Sequence, residues 1–277
     1  MLHQSSLSEI LGRYPQRQEL KEGGQKTVYI VQDPVRGSCV LKIGHTTPAG
    51  LDRLCREVEI LSALCTPWFP RQYEFHTDSD RNFAILEERL DASPLSDHLS
   101  PPWTLSKAAA YMSMVVCAMQ ELWHKKIVHR DLKPDNLLVT AEGHPRIVDL
   151  GIARVIIEGL SLTKTVSPVG PCTPPYAAPE QLINAKRSID FRTDQFTLGI
   201  VLAQLLTGGV HPFDPAELGG ESIVMNILTV DWRPSPQLFA SHPTACVVLA
   251  RMLSKPMHQR YRKPDDLRKV LLALETE

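Results

Sequence analysis

The chain has 277 residues, with 30 Lys+Arg against 31 Asp+Glu and a formal net charge of −1. That balance argues against a nucleic-acid binder driven by bulk electrostatics. A hydrophobic content of 43 % argues against intrinsic disorder. Cys39, Cys55, Cys65, Cys117, Cys172 and Cys246 form no CxxC pair, which speaks against a zinc site and a disulfide-stapled secreted fold. The first residues, Met1 to Ser6, lack the basic-then-apolar pattern of a signal peptide. No stretch reaches the roughly 18 apolar residues of a membrane span. The expectation is a cytoplasmic protein with reduced thiols and no membrane partner.

In chain order, Thr27–Val31 and Ser38–Ile43 are β-branched and apolar around Asp33, Pro34 and Gly37, which predicts an antiparallel hairpin. Residues 52–64 carry Leu54, Val58, Leu61 and Leu64 at helical spacing. Gln72–Phe75 and Phe83–Leu86 read as two more strands around a polar turn. Residues 91–102 hold Pro94, Pro101 and Pro102 and read as a connector. Beyond it the pattern is helical. Residues 106–125 place Met112, Val115, Val116, Met119, Leu122 and Trp123 on one stripe, with Ser106 as the candidate N-cap. Residues 193–207 are apolar nearly all round, as in a helix buried at the centre of a domain. A last helix opens at Pro264-Asp265-Asp266, with proline in the first turn and acids against the helix dipole. The predicted fold class is α+β: a small antiparallel β-rich lobe with one helix at about 14–88, and a larger helical lobe at about 95–274. Residues 1–13 stand as an N-terminal extension.

Three short blocks carry the chemistry. His129-Arg130-Asp131-Leu132-Lys133-Pro134-Asp135-Asn136 comes first. Asp149-Leu150-Gly151 and Ala178-Pro179-Glu180 follow it. In this order and approximate spacing the chain resembles the eukaryotic-like Ser/Thr protein kinases over roughly residues 20–274. The style of residues 196–206 and the compact ends point to a prokaryotic member.

The resemblance implies a two-lobe kinase fold and transfer of the γ-phosphoryl group of ATP to protein Ser/Thr hydroxyls. Asp131 would accept or orient the acceptor's proton, and Lys133 would stabilise charge on the moving group. Asn136 and Asp149 would offer hard oxygens to Mg2+, with Mn2+ as a substitute. Cys39-Val40-Leu41-Lys42 resembles the strand that presents a phosphate-binding lysine. The acid expected to pair with Lys42 is Glu57, in Arg56-Glu57-Val58-Glu59-Ile60-Leu61. Glu59 lies about 200° further round the helix and is read as solvated. Val28, Val40 and Leu138 would wall the adenine, and the backbone of Glu87 to Arg89 would bind its edge, Glu88 being the residue chosen. Gly23 and Gly24 would form the turn over the phosphates.

The chain departs from the family pattern in places. Lys21 and Lys26 replace two glycines of that loop, Val40 stands for the usual alanine, Leu150 for phenylalanine and Cys172 for glycine. By the same resemblance, Thr173 contacts Asp131 and Lys133, Asp194 holds the backbone of the catalytic loop, and Arg260 pairs with Glu180. Residues 149–180 would form an activation segment whose Ser161, Thr163, Thr165, Ser167 or Thr173 accepts phosphate. Thr163 or Thr165 would dock on Arg130 after autophosphorylation in a transient homodimer. Two other readings stay open: a pseudokinase scaffold, suggested by the degenerate glycine-rich loop, and a small-molecule kinase sharing the catalytic Asp and Asn.

Overall fold

The computed structural model describes residues 2–149 and 172–277, apart from residues 5, 23–25, 48–50, 53, 56, 57, 60, 61, 63 and 65, together with 154 and 155. Two compact units meet in the chain at Asp91 and Ala92.

The first unit is a six-stranded sheet. Its strands are β1 (Leu2–Gln4), β2 (Arg17–Glu22), β3 (Lys26–Asp33), β4 (Gly37–His45), β5 (Gln72–Thr77) and β6 (Asn82–Glu88), in the order β1-β5-β6-β4-β3-β2. Helix α1 (Leu7–Arg13) follows β1. Ser6 caps α1 in a capping box with Glu9, so two of the helix's orphan donors are satisfied. The predicted hairpin is present as β3 and β4, with Val31 opposite Cys39 and Val28 opposite Lys42. The side-chain period of two then divides the sheet. Cys39, Leu41, Ile43, Ala84 and Leu86 lie in one apolar cluster with Ile10 and Tyr14, and Leu7 and Leu11 of α1 pack against it. The other cluster is Phe75, Phe83 and Ile85, and Leu51, Leu54, Cys55 and Val58 pack against it. The described positions of residues 51–62 are helical, and Glu59 among them is exposed. Of the N-terminal extension, Leu2–Gln4 thus supplies a strand and Leu7–Arg13 a covering helix to this unit.

An ion-pair network ties α1 to the sheet. Glu74 on β5 accepts from Arg13 at 2.9 Å and from Arg36 at 2.9 Å. These partners, Arg13 foremost, hold its carboxyl down at about 2. The Tyr14 hydroxyl donates to buried Asp33 at 2.9 Å.

The second unit opens with β7 (Ala92–Pro94) and a 3-10 turn, Leu95–His98, where a plain connector was expected. β7 finds its hydrogen-bond partner in β9 (Leu137–Thr140), a pairing far away in sequence. The unit then carries α2 (Leu105–His124), β8 (Ile127–Val128), β9 and β10 (Pro145–Ile147), with β11 (Arg154–Val155) paired to β8. Helices α3 (Pro179–Leu182), α4 (Phe191–Thr207), α5 (Pro215–Leu218), α6 (Ile223–Thr229), α7 (Pro236–Ser241), α8 (Pro243–Met252) and α9 (Pro264–Glu275) complete it. The N-cap of α2 is Thr104, not Ser106: its side chain accepts from the Lys107 backbone N–H. Both residues are capping types, and the start of the helix decides between them. α4 is buried along its whole length except at Phe191, Arg192 and Thr207, as its all-round apolar sequence required. α2 packs against α4 on one side and α9 on another, where Gln120 donates to Asp265 at 2.6 Å.

Candidate active site

The catalytic loop is built from its buried anchor outward. Asp194, in the first turn of α4, is 1 % exposed. Its carboxylate accepts from the backbone N–H groups of His129 and Arg130, each at 2.9 Å, and from the Trp123 indole at 2.9 Å. Burial pushes the Asp194 carboxyl above the ordinary carboxylate range, and the neighbouring His129 and these hydrogen bonds oppose that shift. The bonds matter because Arg130 sits in the left-handed region at φ 73°, which a side chain other than glycine adopts only where its surroundings impose it. Gln181 adds a bond from its amide to the Arg130 carbonyl at 2.8 Å.

This frame aims Asp131 at a cluster of polar groups. Its Oδ1 accepts from the Thr173 hydroxyl at 2.7 Å and from the Thr173 backbone N–H at 3.0 Å. Lys133 Nζ donates to Thr173 Oγ1 at 2.8 Å and lies 3.3 Å from Asp131 Oδ2. Asn136 donates its amide N–H to the Asp131 carbonyl at 2.8 Å. The structure therefore brings Asp131, Lys133, Asn136 and Thr173 together from segments some forty residues apart. Cys172 precedes Thr173, and burial with the nearby Asp131 charge pushes its thiol pKa up, which keeps it protonated.

Asn136 and Asp149 are joined through the backbone. The N–H of Val148 donates to the Asn136 carbonyl at 3.0 Å, which sets Asp149 next in line, itself at φ 68°. An amide oxygen and a carboxylate suit a hard divalent cation that draws its remaining ligands from phosphate and water. Among the described residues no group of three His, Cys, Asp or Glu side chains could hold a metal unaided. The donor set thus fits a metal that arrives with a nucleotide.

The lysine strand lies in the first unit. Lys42 Nζ is 2.6 Å from Glu87 Oε1 on β6, and Glu87 is 4 % exposed. The sequence pattern missed this contact, because it looked for an acid on the following helix. Glu57, Gly23, Gly24 and Leu150 lie outside the described residues, as do Ser161, Thr163, Thr165 and Ser167. Val28 and Val40 share the sheet face of Lys42, opposite Lys42 and Glu87 respectively. Leu138 is half-buried on β9 in the second unit, and its carbonyl accepts from the Tyr111 hydroxyl at 3.0 Å. Glu88, the residue chosen for the adenine edge, is bonded to Arg71. Its backbone N–H donates to the Arg71 carbonyl at 2.8 Å and its carboxylate accepts from the Arg71 N–H at 3.0 Å. That N–H is therefore engaged by Arg71, the residue just before β5.

One buried pair locks the second unit. Arg260, 0 % exposed, places its five N–H donors on five acceptors: Glu180 Oε1 and Oε2 at 2.8 and 3.0 Å, and the carbonyls of Ser254, Arg192 and Lys255. The Thr193 hydroxyl also donates to Glu180.

A family model described as the protein kinase domain matches residues 16–269. The chain belongs to the protein kinase family. Serine/threonine-protein kinase Pkn1 of Myxococcus xanthus is 29 % identical over 256 residues, 89 % of this chain and 35 % of its own length. PrkC of Bacillus subtilis is 28 % identical over 272 residues, 93 % of this chain and 40 % of its own. PknB of Mycobacterium leprae is 27 % identical over 278 residues, 95 % and 43 %. These relatives place the chain with the eukaryotic-like Ser/Thr kinases, in bacterial company. The chain spans less than half the length of the curated relatives it matches. The α+β fold expected for this kinase family is the one observed: a helical region and a sheet that is antiparallel except for the parallel β1–β5 pair at its edge. The family uses ATP and a divalent metal. Among the described residues, no helix is long and apolar enough to cross a membrane.

Proposed function

We propose that the chain is an active cytoplasmic Ser/Thr protein kinase that transfers the γ-phosphoryl group of ATP to protein Ser/Thr hydroxyls. The observation that carries this reading is the Asp131–Thr173–Lys133 cluster, held on a loop whose backbone is bonded to buried Asp194. A carboxylate with a lysine and a hydroxyl fixed beside it can orient an acceptor hydroxyl, take its proton and offset charge on the transferred group. Mg2+, bound with ATP, would neutralise phosphate charge. Asn136 and Asp149 are the residues proposed to hold it, with Mn2+ as a substitute. Lys42 would hold the α- and β-phosphates, and Val28, Val40 and Leu138 would contact the adenine, with the glycines at 23 and 24 above the phosphates. Thr163 or Thr165 would receive phosphate by autophosphorylation in a transient homodimer.

The pseudokinase reading is disfavoured because Lys42, Asp131, Lys133, Asn136 and Asp149 are all present. The test incubates the purified chain, and its Asp131→Asn variant, with labelled ATP, Mg2+ and a protein substrate. Label on protein from the wild type alone supports the reading. Equal label from both overturns it, and label on an aminoglycoside but never on protein would assign a small-molecule kinase. Mass spectrometry of the same reaction tests the autophosphorylation sites; no phosphate within residues 150–180 would refute them.

A further inference from the structure

Two neighbouring strands present charged groups beside apolar ones on one face. Lys42 lies opposite Ile85, and Glu87 lies opposite Val40. Lys42 and Glu87 are therefore diagonal neighbours on the same face of an antiparallel pair, within reach of long side chains. Their charged atoms meet at 2.6 Å, with side-chain exposures of 13 % and 6 %. A carboxylate buried to this degree is costly, and an apolar pair of similar volume would serve the fold at least as well. The ion pair therefore calls for an explanation beyond folding, and Lys42 supplies one.

We propose that Glu87 is a positioning residue for Lys42 in ATP binding. The proposal rests on the reading of Lys42 as the phosphate-binding lysine. A lysine side chain is flexible, and a ligand that must order it loses affinity to that ordering. Glu87 is fixed in the backbone ladder of β6 and holds the ammonium by one of its three donors. The direction of the ammonium is then set from β6. This anchor lies within the sheet.

The experiment measures ATP affinity by calorimetry with Mg2+, and KM and kcat in the kinase assay. The variants are Lys42→Met, Glu87→Leu, Glu87→Gln and the Lys42→Met/Glu87→Leu pair. Thermal unfolding of each confirms that it is folded, and the double variant replaces the ion pair by an apolar one. Glu87→Leu is expected to weaken ATP binding about tenfold and raise KM, with kcat at saturating ATP changed less than about threefold. Glu87→Gln, whose amide oxygen still accepts from Nζ, is expected to stay within about threefold of the wild type. The double variant is expected to bind no more weakly than Lys42→Met. If the two losses multiply instead, Glu87 does not act through Lys42. If Glu87→Leu binds ATP as well as the wild type or better, Glu87 does not position Lys42. If Lys42→Met itself binds ATP normally, the reading of Lys42 fails, and the role of Glu87 with it.

Discussion

Thr173 offers the sharpest test of the catalytic cluster. Replacing it by valine keeps its shape and its backbone N–H, so the 3.0 Å bond from that N–H to Asp131 survives. The hydroxyl's two bonds are lost: 2.7 Å to Asp131 Oδ1 and 2.8 Å from Lys133 Nζ. Each has one charged partner, a class worth about 1.5–3 kcal/mol. Lys133 recovers part of the loss by closing on Asp131 Oδ2, which already lies 3.3 Å away. The net cost is then about 2–4 kcal/mol, or about a 30- to 1,000-fold fall in kcat. The KM for ATP should hold steady, because Thr173 is bonded to Asp131 and Lys133, both on the catalytic loop. The assay is the initial rate of phosphate incorporation into protein as ATP is varied. Thr173→Ser restores the hydroxyl and should restore kcat to within about threefold. A folded Thr173→Val variant with nearly wild-type kcat would refute the assignment. So would a Thr173→Ser variant as slow as the valine, which would point to shape rather than hydrogen bonding.

Arg260→Met leaves Glu180 buried and strands three carbonyls, so the second unit should lose about 3–5 kcal/mol. At about 2–4 °C per kcal/mol its melting temperature should fall by about 6–20 °C; a fall under about 3 °C by calorimetry would mean that the pair is not structural. The double variant Glu180→Leu/Arg260→Met should recover much of the loss. His211 is 7 % exposed, its Nε2 lies 2.9 Å from the Pro175 carbonyl oxygen, and burial lowers its pKa from 6.5 to about 4. Above pH 6.5 both folded and unfolded forms are neutral there. Between pH 6.5 and about 4 the unfolded chain binds a proton that the folded one refuses, so acidification costs up to about 3 kcal/mol. Melting temperatures of the wild type and His211→Gln across pH 7 to 4.5 should diverge, the wild type falling more steeply; parallel curves would show that His211 does not titrate this way.

Much of this protein was legible in its sequence because the signals are local. The β3–β4 hairpin follows from β-branched runs around Asp33-Pro34 and Gly37, and α4 from an apolar run that leaves no solvent face. Asp131, Lys133, Asn136 and Asp149 could be singled out because the blocks that hold them resemble the kinase pattern in order and spacing, and that resemblance implies their roles. Tertiary structure decided where partners come from another segment. β7 could not be read from Ala92-Ser93-Pro94, because its partner β9 begins more than forty residues later. The start of α2 turned on whether Thr104 or Ser106 reaches a free N–H, which depends on backbone direction. The partner of Lys42 on β6 depended on sheet order and register. Adjacency between β4 and β6 makes position 87 a diagonal neighbour of position 42, and no spacing along the chain encodes that.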